Sequence, residues 1–274
     1  MAVQGPSSLK RRKEHRLVYK MMQETDLTIQ VLDARFPHRT RSPAIEIIAK
    51  SLNKPLLNCI SKSDLIPKEV ADKWKEYLNQ FNPTIHISSR ERMGTSRLRR
   101  TIFRISPFVP SSLQPLTICI VGYPNVGKSS LINVLAGRHS APVSIRAGFT
   151  RTIRKVKITP KLYLIDTPGV TPIESLELSE KVYLCTISPE DILDPDLIIN
   201  YLFEQAKKFN QVKSWESYLK QSLDQPIESI LAKFAKQRGL IRKGNDPQIE
   251  EAARVLIRDF SKGKIKYYED PQYL

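Results

Sequence analysis

The sequence predicts an α/β fold, a parallel sheet flanked by helices, followed by a smaller α-helical domain. Three observations carry this. Strand-like apolar runs at 27–32, 55–60 and 84–87 alternate with helix-like stretches at 67–78 and 96–103, the rhythm of strands joined by crossover helices. A further apolar run, 116–121, enters a Gly-containing loop and leaves it through a helix-like stretch at 129–135. Beyond about residue 180 the pattern turns helical, with helices expected at 189–208, 226–238 and 247–260; the last places Ala252, Ala253, Leu256, Ile257 and Phe260 on one face, as a core helix would. The expected domains are therefore 1–180 and 181–274. The segment 107–115, with three prolines and paired serines, reads as the connection between two parts of the first domain.

The loop after residue 121 is Gly122-Tyr-Pro-Asn-Val-Gly-Lys-Ser129, a full GxxxxGK[ST] pattern. Such a loop turns its backbone N–H groups toward a polyphosphate, and the following helix N-terminus adds to the anion site. Asn125, Val126, Gly127, Lys128, Ser129 and Ser130 are the expected phosphate contacts, with Lys128 reaching the β- and γ-phosphates and Ser129 coordinating magnesium. Downstream, an apolar run ends in Asp166-Thr-Pro-Gly169. Asp166 is placed to hold the magnesium through water, and the Gly169 N–H to sense the γ-phosphate. Between the two motifs, Gly148-Phe-Thr150-Arg151 suits a mobile switch, with Thr150 as a second magnesium ligand. Lys128, Thr150 and Gly169, nearest the transferred phosphoryl group, are the candidate catalytic residues. Val170 follows where a water-orienting Gln is common, so hydrolysis is expected to be slow without outside help.

Upstream lies Ser61-Lys62-Ser63-Asp64. Asp64 follows the C-terminal end of a strand-like run, where α/β sheets place ligand contacts, and its carboxylate can accept both N–H donors of a guanine edge. Lys62 is expected over the base plane, and Ser88-Ser89 supplies the remaining base contact.

The net charge of +16 sits almost entirely in residues 1–180, which contain 29 Lys/Arg against 14 Asp/Glu. A polyanionic partner is expected, and RNA, DNA or acidic lipid would each satisfy bulk charge. The candidate RNA contacts are Lys10, Arg11 and Arg12 near the N-terminus and Arg146, Arg151 and Arg154 around Thr150. Three widely spaced cysteines in apolar runs read as reduced core residues of a cytoplasmic protein. The chain contains no apolar run long enough to span a membrane and no secretory signal, and its basic start reads as a charged helix or an organelle address.

The order Ser-Lys-Ser-Asp, Ser-Ser, phosphate loop, switch Thr, Asp-Thr-Pro-Gly inverts the ordinary one, in which the phosphate loop comes first. Together with Asp33-Ala-Arg-Phe-Pro37 and Arg41-Ser-Pro43, it resembles the circularly permuted GTPases of the YlqF/RbgA type over roughly residues 25–170. That resemblance implies a P-loop GTPase sheet in permuted order, GTP and magnesium as substrate and cofactor, and a monomer acting on the precursor of the large ribosomal subunit and its rRNA. Family members usually have Asn where Ser61 stands, so a weaker bridge from base to phosphate loop is expected. Related GTPases with Pro-Asn in the loop use that Asn for potassium; Asn125 could do so or could merely hydrogen-bond the loop. From a different class, the chain could be an RNA-binding assembly scaffold that holds nucleotide and hydrolyses little.

Overall fold

A computed structural model describes residues 6–107, 114–137, 154–166 and 176–274. The chain divides into two compact units, Met1–Ser175 and Leu176–Leu274.

In the first unit, helix α1 (Pro6–Gln23) leads to β1 (Leu27–Asp33), α2 (Pro43–Ser51), β2 (Leu56–Ser61), α3 (Lys68–Asn79), β3 (Thr84–His86) and α4 (Thr95–Ile105). Then follow β4 (Leu116–Val121), α5 (Lys128–Ala136), β5 (Arg154–Thr159) and β6 (Leu162–Asp166). The six strands form one sheet in the order β3-β2-β1-β4-β6-β5, parallel throughout except for the β5–β6 pairing. Every residue of β1 is buried, as befits a central strand covered on both faces. Its one amide side chain, Gln30, is satisfied at both ends: Nε2 donates to Asn58 Oδ1 at 3.0 Å and Oε1 accepts from Ser42 N at 2.7 Å.

One side of the sheet is packed by Val18, Met21 and Met22 of α1 with Ile45 and Ala49 of α2, against Leu56, Cys119, Val121 and Ile165 of the strands. Helix α2 is absent from the sequence reading because its nine residues are too short to establish a period; Pro43 starts it, where a missing N–H does no harm. Cys59, Cys119 and Cys185 are buried and form no disulfide, and burial pushes the thiols of Cys59 and Cys119 up to about 12.

The second unit contains α6 (Leu178–Tyr183), α7 (Pro195–Lys208), α8 (Val212–Leu219), α9 (Ile227–Gln237), a two-stranded ribbon of β7 (Ile241–Arg242) and β8 (Asp246–Pro247), and α10 (Ile249–Ser261). The continuous helix expected over 189–208 is instead a 3₁₀ turn, Pro189–Asp191, followed by α7. Pro195 occupies the start of α7, since its ring would clash with a preceding helical turn. Ala252, Ala253, Leu256, Ile257 and Phe260 are all buried. Phe260 stacks on Trp215 of α8 at 5.4 Å, and Trp215 meets the edge of Phe203 of α7 at 5.1 Å. No helix among the described residues is long and apolar enough to cross a membrane.

Candidate functional site

Because β1, β2, β3 and β4 run parallel, everything that follows their last residues gathers at one end of the sheet. Asp33 closes β1, Ser61 to Asp64 follow β2, Ser88 and Ser89 follow β3, and the phosphate loop follows β4. Residues separated by more than 60 positions thus become neighbours.

Gly122 turns the chain out of β4 with φ +148°, and a Cβ there would lie 2.5 Å from the Val31 carbonyl oxygen of β1. The loop can therefore press against the central strand only with glycine at this position. Asn125 adopts left-handed φ 60° and is exposed, while Val126 is buried. Lys128 begins α5, and its Nζ donates to the carbonyls of Gly122 at 2.7 Å and Tyr123 at 2.5 Å, across the mouth of the loop. Burial pushes Lys128 down to about 8, a proton affinity that a phosphate would restore. Ser129 and Ser130 are exposed on the first turn of α5.

The base motif is tied to this loop. Ser61 Oγ donates to the Val126 carbonyl and also lies 3.0 Å from the Leu32 carbonyl. A serine is shorter than the expected Asn, yet the buried hydroxyl reaches the loop directly, so a bridge from base motif to loop is present. Asp64 Oδ1 accepts from Ser88 Oγ at 2.6 Å, and Ser88 Oγ in turn accepts from Glu91 N at 3.0 Å. The two base-contact motifs therefore meet through a direct hydrogen bond. Ser89 is half-buried beside them.

Lys62 adopts left-handed φ 57° and directs Nζ to Asp33 Oδ2 at 2.8 Å. Asp33 is buried, and the equally buried Arg35 grips it: Nε and Nη2 donate at 3.0 and 2.9 Å, and the Arg35 backbone N–H adds a bond at 3.0 Å. Burial alone would raise the Asp33 pKa, but the cations of Arg35 and then Lys62 outweigh it and hold the carboxyl well below the usual carboxylate range. In the sequence, Asp33 and Arg35 stand out only through the Asp-Ala-Arg-Phe-Pro resemblance, which carries no role for either. The available signal was an acidic residue ending a buried strand at the same sheet end as Lys62.

Asp166 is the last residue of β6; the parallel register of Cys119 with Ile165 brings its backbone to the phosphate-loop end. Thr150, Gly169, Val170, Arg146 and Arg151 lie outside the described residues, as do the side chains of Asp166, Arg154, Lys10, Arg11 and Arg12. No cluster of three or more His, Cys, Asp or Glu suited to a metal occurs among the described residues. A hydroxyl and a carboxylate from separate elements with phosphate oxygens are nevertheless a donor set that fits magnesium, a hard cation that binds few protein ligands.

The profile described as "50S ribosome-binding GTPase" matches residues 117–233. "GTPase grn1" of Schizosaccharomyces pombe is 31% identical over 93% of this chain and 61% of its own length. An uncharacterized GTP-binding protein of Methanocaldococcus jannaschii is 31% identical over 93% and 66%. "Nucleolar GTP-binding protein 2" of S. pombe is 30% identical over 94% and 48%. The chain thus spans about half to two thirds of the length of these curated relatives. Among solved structures, GNP-bound YlqF from T. maritima superposes with a TM-score of 0.65 at 22% identity, covering 92% of this chain and 94% of that one.

Proposed function

We propose, for a chain that belongs to the circularly permuted GTPases of the YlqF type, that it binds and hydrolyses GTP while docked on ribosomal RNA of a maturing large subunit and is released after hydrolysis. The observation carrying the nucleotide reading is the Ser61 to Val126 hydrogen bond, together with the Asp64 to Ser88 bond beside it. These bonds support treating base motif and phosphate loop as one continuous site despite their inverted order. In this reading Asp64 pairs with the guanine N–H donors, Ser88 fixes the carboxylate, and Ser89 closes the base edge. Lys62, held by Asp33, covers the base. The loop from Asn125 to Ser130 wraps the phosphates with Lys128 as the cation. Magnesium would be held by Ser129, Thr150 and Asp166 and would neutralise phosphate charge; Asn125 is the proposed potassium contact. Gly169 reports the γ-phosphate.

The ribosomal part rests on the relatives' names and on the +16 charge. A cytoplasmic monomer remains part of the proposal. The deciding experiment is competition of GTP and ATP for the purified chain, followed by single-turnover hydrolysis with and without large-subunit particles. GTP selectivity and stimulation by particles are the expected results; equal competition by ATP would refute the base assignment. Val170 favours the second reading, a nucleotide-holding scaffold, and the absence of hydrolysis even on particles would establish it.

A further inference from the structure

Helix α4 contains Arg97, Arg99, Arg100 and Arg104 and no acidic residue, and the turn before it adds Arg90 and Arg92. All six are exposed. Their arrangement has a direction. Leu98 and Ile102, one turn apart, are fully buried and seat the helix on the core. Arg97, Arg100 and Arg104, at i, i+3 and i+7, share the opposite, solvent side over roughly 10 Å of helix. None of these three takes part in an ion pair among the described residues, and from Arg92 through Pro107 the chain has no Asp or Glu. Glu91, just before it, is the one acid between Arg90 and Pro107.

The helix is also held firmly. Gly94, φ +76°, begins it so close to β3 that a Cβ would lie 2.6 Å from the His86 carbonyl oxygen. Ser88 N donates to Met93 O at 3.1 Å, closing the preceding turn. Arg99 reaches sideways and donates to the carbonyls of Val134 at 2.7 Å and Leu135 at 3.3 Å, in the last turn of α5. One arginine thus anchors α4 to the phosphate-loop helix, and the remaining row stands presented on a fixed rod. Like-charged guanidinium groups gathered without counter-charges repel one another, and phosphates bound among them would relieve that repulsion.

We propose that this outer face of α4, Arg97, Arg100 and Arg104 flanked by Arg90 and Arg92, is a docking surface for the phosphate backbone of structured RNA. The inference rests on the ribosomal reading above and assigns the contact to residues other than the arginines around Thr150. Arginine pairs bidentately with phosphate, and a regular row of arginines matches a repeating polyanion better than a single acidic side chain. A lipid surface is the poorer match, because the apolar side of α4 is buried, and Met93 in the preceding turn is a single partly exposed apolar side chain beside the arginines rather than an apolar face that could enter a bilayer.

The test compares the full chain with R97E/R100E/R104E, and with R97Q/R100Q/R104Q should charge reversal disturb folding, by titration against a labelled RNA duplex of about 20 base pairs and against large-subunit particles over a range of salt concentrations. Each lost phosphate contact removes about one unit from the salt slope, so a drop of about 3 and an affinity loss of at least tenfold at low salt are expected. GTP-analogue affinity should stay unchanged, and R97K/R100K/R104K should retain most RNA binding. An unaltered slope and affinity in both triple variants would overturn the surface while leaving the ribosomal reading intact. Failure of the unmodified chain to bind either RNA would overturn that reading instead. Loss of binding to phosphatidylserine vesicles with RNA binding retained would identify the face as a membrane contact and refute the proposal.

Discussion

Lys62 Nζ lies 2.8 Å from Asp33 Oδ2, joining the base-reading loop after β2 to a buried carboxylate at the end of β1. The lysine is partly exposed and the aspartate is not, so the pair fixes the direction of a flexible side chain from below while leaving its stem free to cover a planar ligand. Lys62→Met should lower GTP and GDP affinity alike, by about tenfold, or about 1.4 kcal/mol. Equilibrium titration with both nucleotides checks this; a loss confined to GTP would place Lys62 near the γ-phosphate instead.

Asp33→Asn should be costly, because Arg35 would remain buried without a full counter-charge. Breaking such a pair costs about 3–5 kcal/mol. Since the native carboxyl is held below its ordinary pKa, its contribution is complete above about pH 4 and is lost as the pH falls through the lowered native value. Denaturant melts from pH 7 down to 2 should show the gap between the two proteins narrowing only below pH 4. A gap constant over that range would show that charge is not the source.

The Asp64 to Ser88 bond predicts that Ser88→Ala weakens guanine nucleotide binding modestly and that Asp64→Asn changes the preference. With the carboxylate replaced by an amide, one acceptor opposite the guanine donors becomes a donor, and a site built to pair polar groups is left mispaired. Competition by ATP, GTP and xanthosine triphosphate reads this directly. Retention of full GTP selectivity in Asp64→Asn would remove the residue from the base site.

Ser61→Ala deletes the hydroxyl that joins β2 to the phosphate loop. A loss of about 1 kcal/mol in stability is expected, the usual contribution of one buried hydrogen bond, with a several-fold weaker grip on nucleotide. Thermal melts with and without GDP separate the two effects. Unchanged values in both would show that the bond transmits nothing to the site.

Asn125, exposed and left-handed in the loop, supports an ion response: hydrolysis should rise several-fold when potassium replaces sodium, and Asn125→Ala should abolish that rise. Steady-state phosphate release in the two salts is the measurement. A potassium effect that survives the substitution would leave Asn125 with the loop-bonding role.

The phosphate loop, the strand before it and the helix after it were legible in the sequence because their constraints are local: a buried apolar run, two glycines and a lysine at fixed spacing need no distant partner to be recognised. The inverted motif order likewise required only reading along the chain. Short helices such as α2 and α8 escaped, since nine and eight residues carry too little periodicity to outweigh their surroundings. The break before α7 was missed because a proline can begin a helix as readily as end one. What only the tertiary structure decided were the cross-chain partners: Ser61 with Val126, Lys62 with Asp33, and Arg99 with the end of α5. Each depends on strand order and register, which set distances between residues far apart in sequence. The parallel sheet places the C-terminal ends of β1 through β4 side by side, and burial there converts charges and hydroxyls that would be ordinary in water into groups that must find one another.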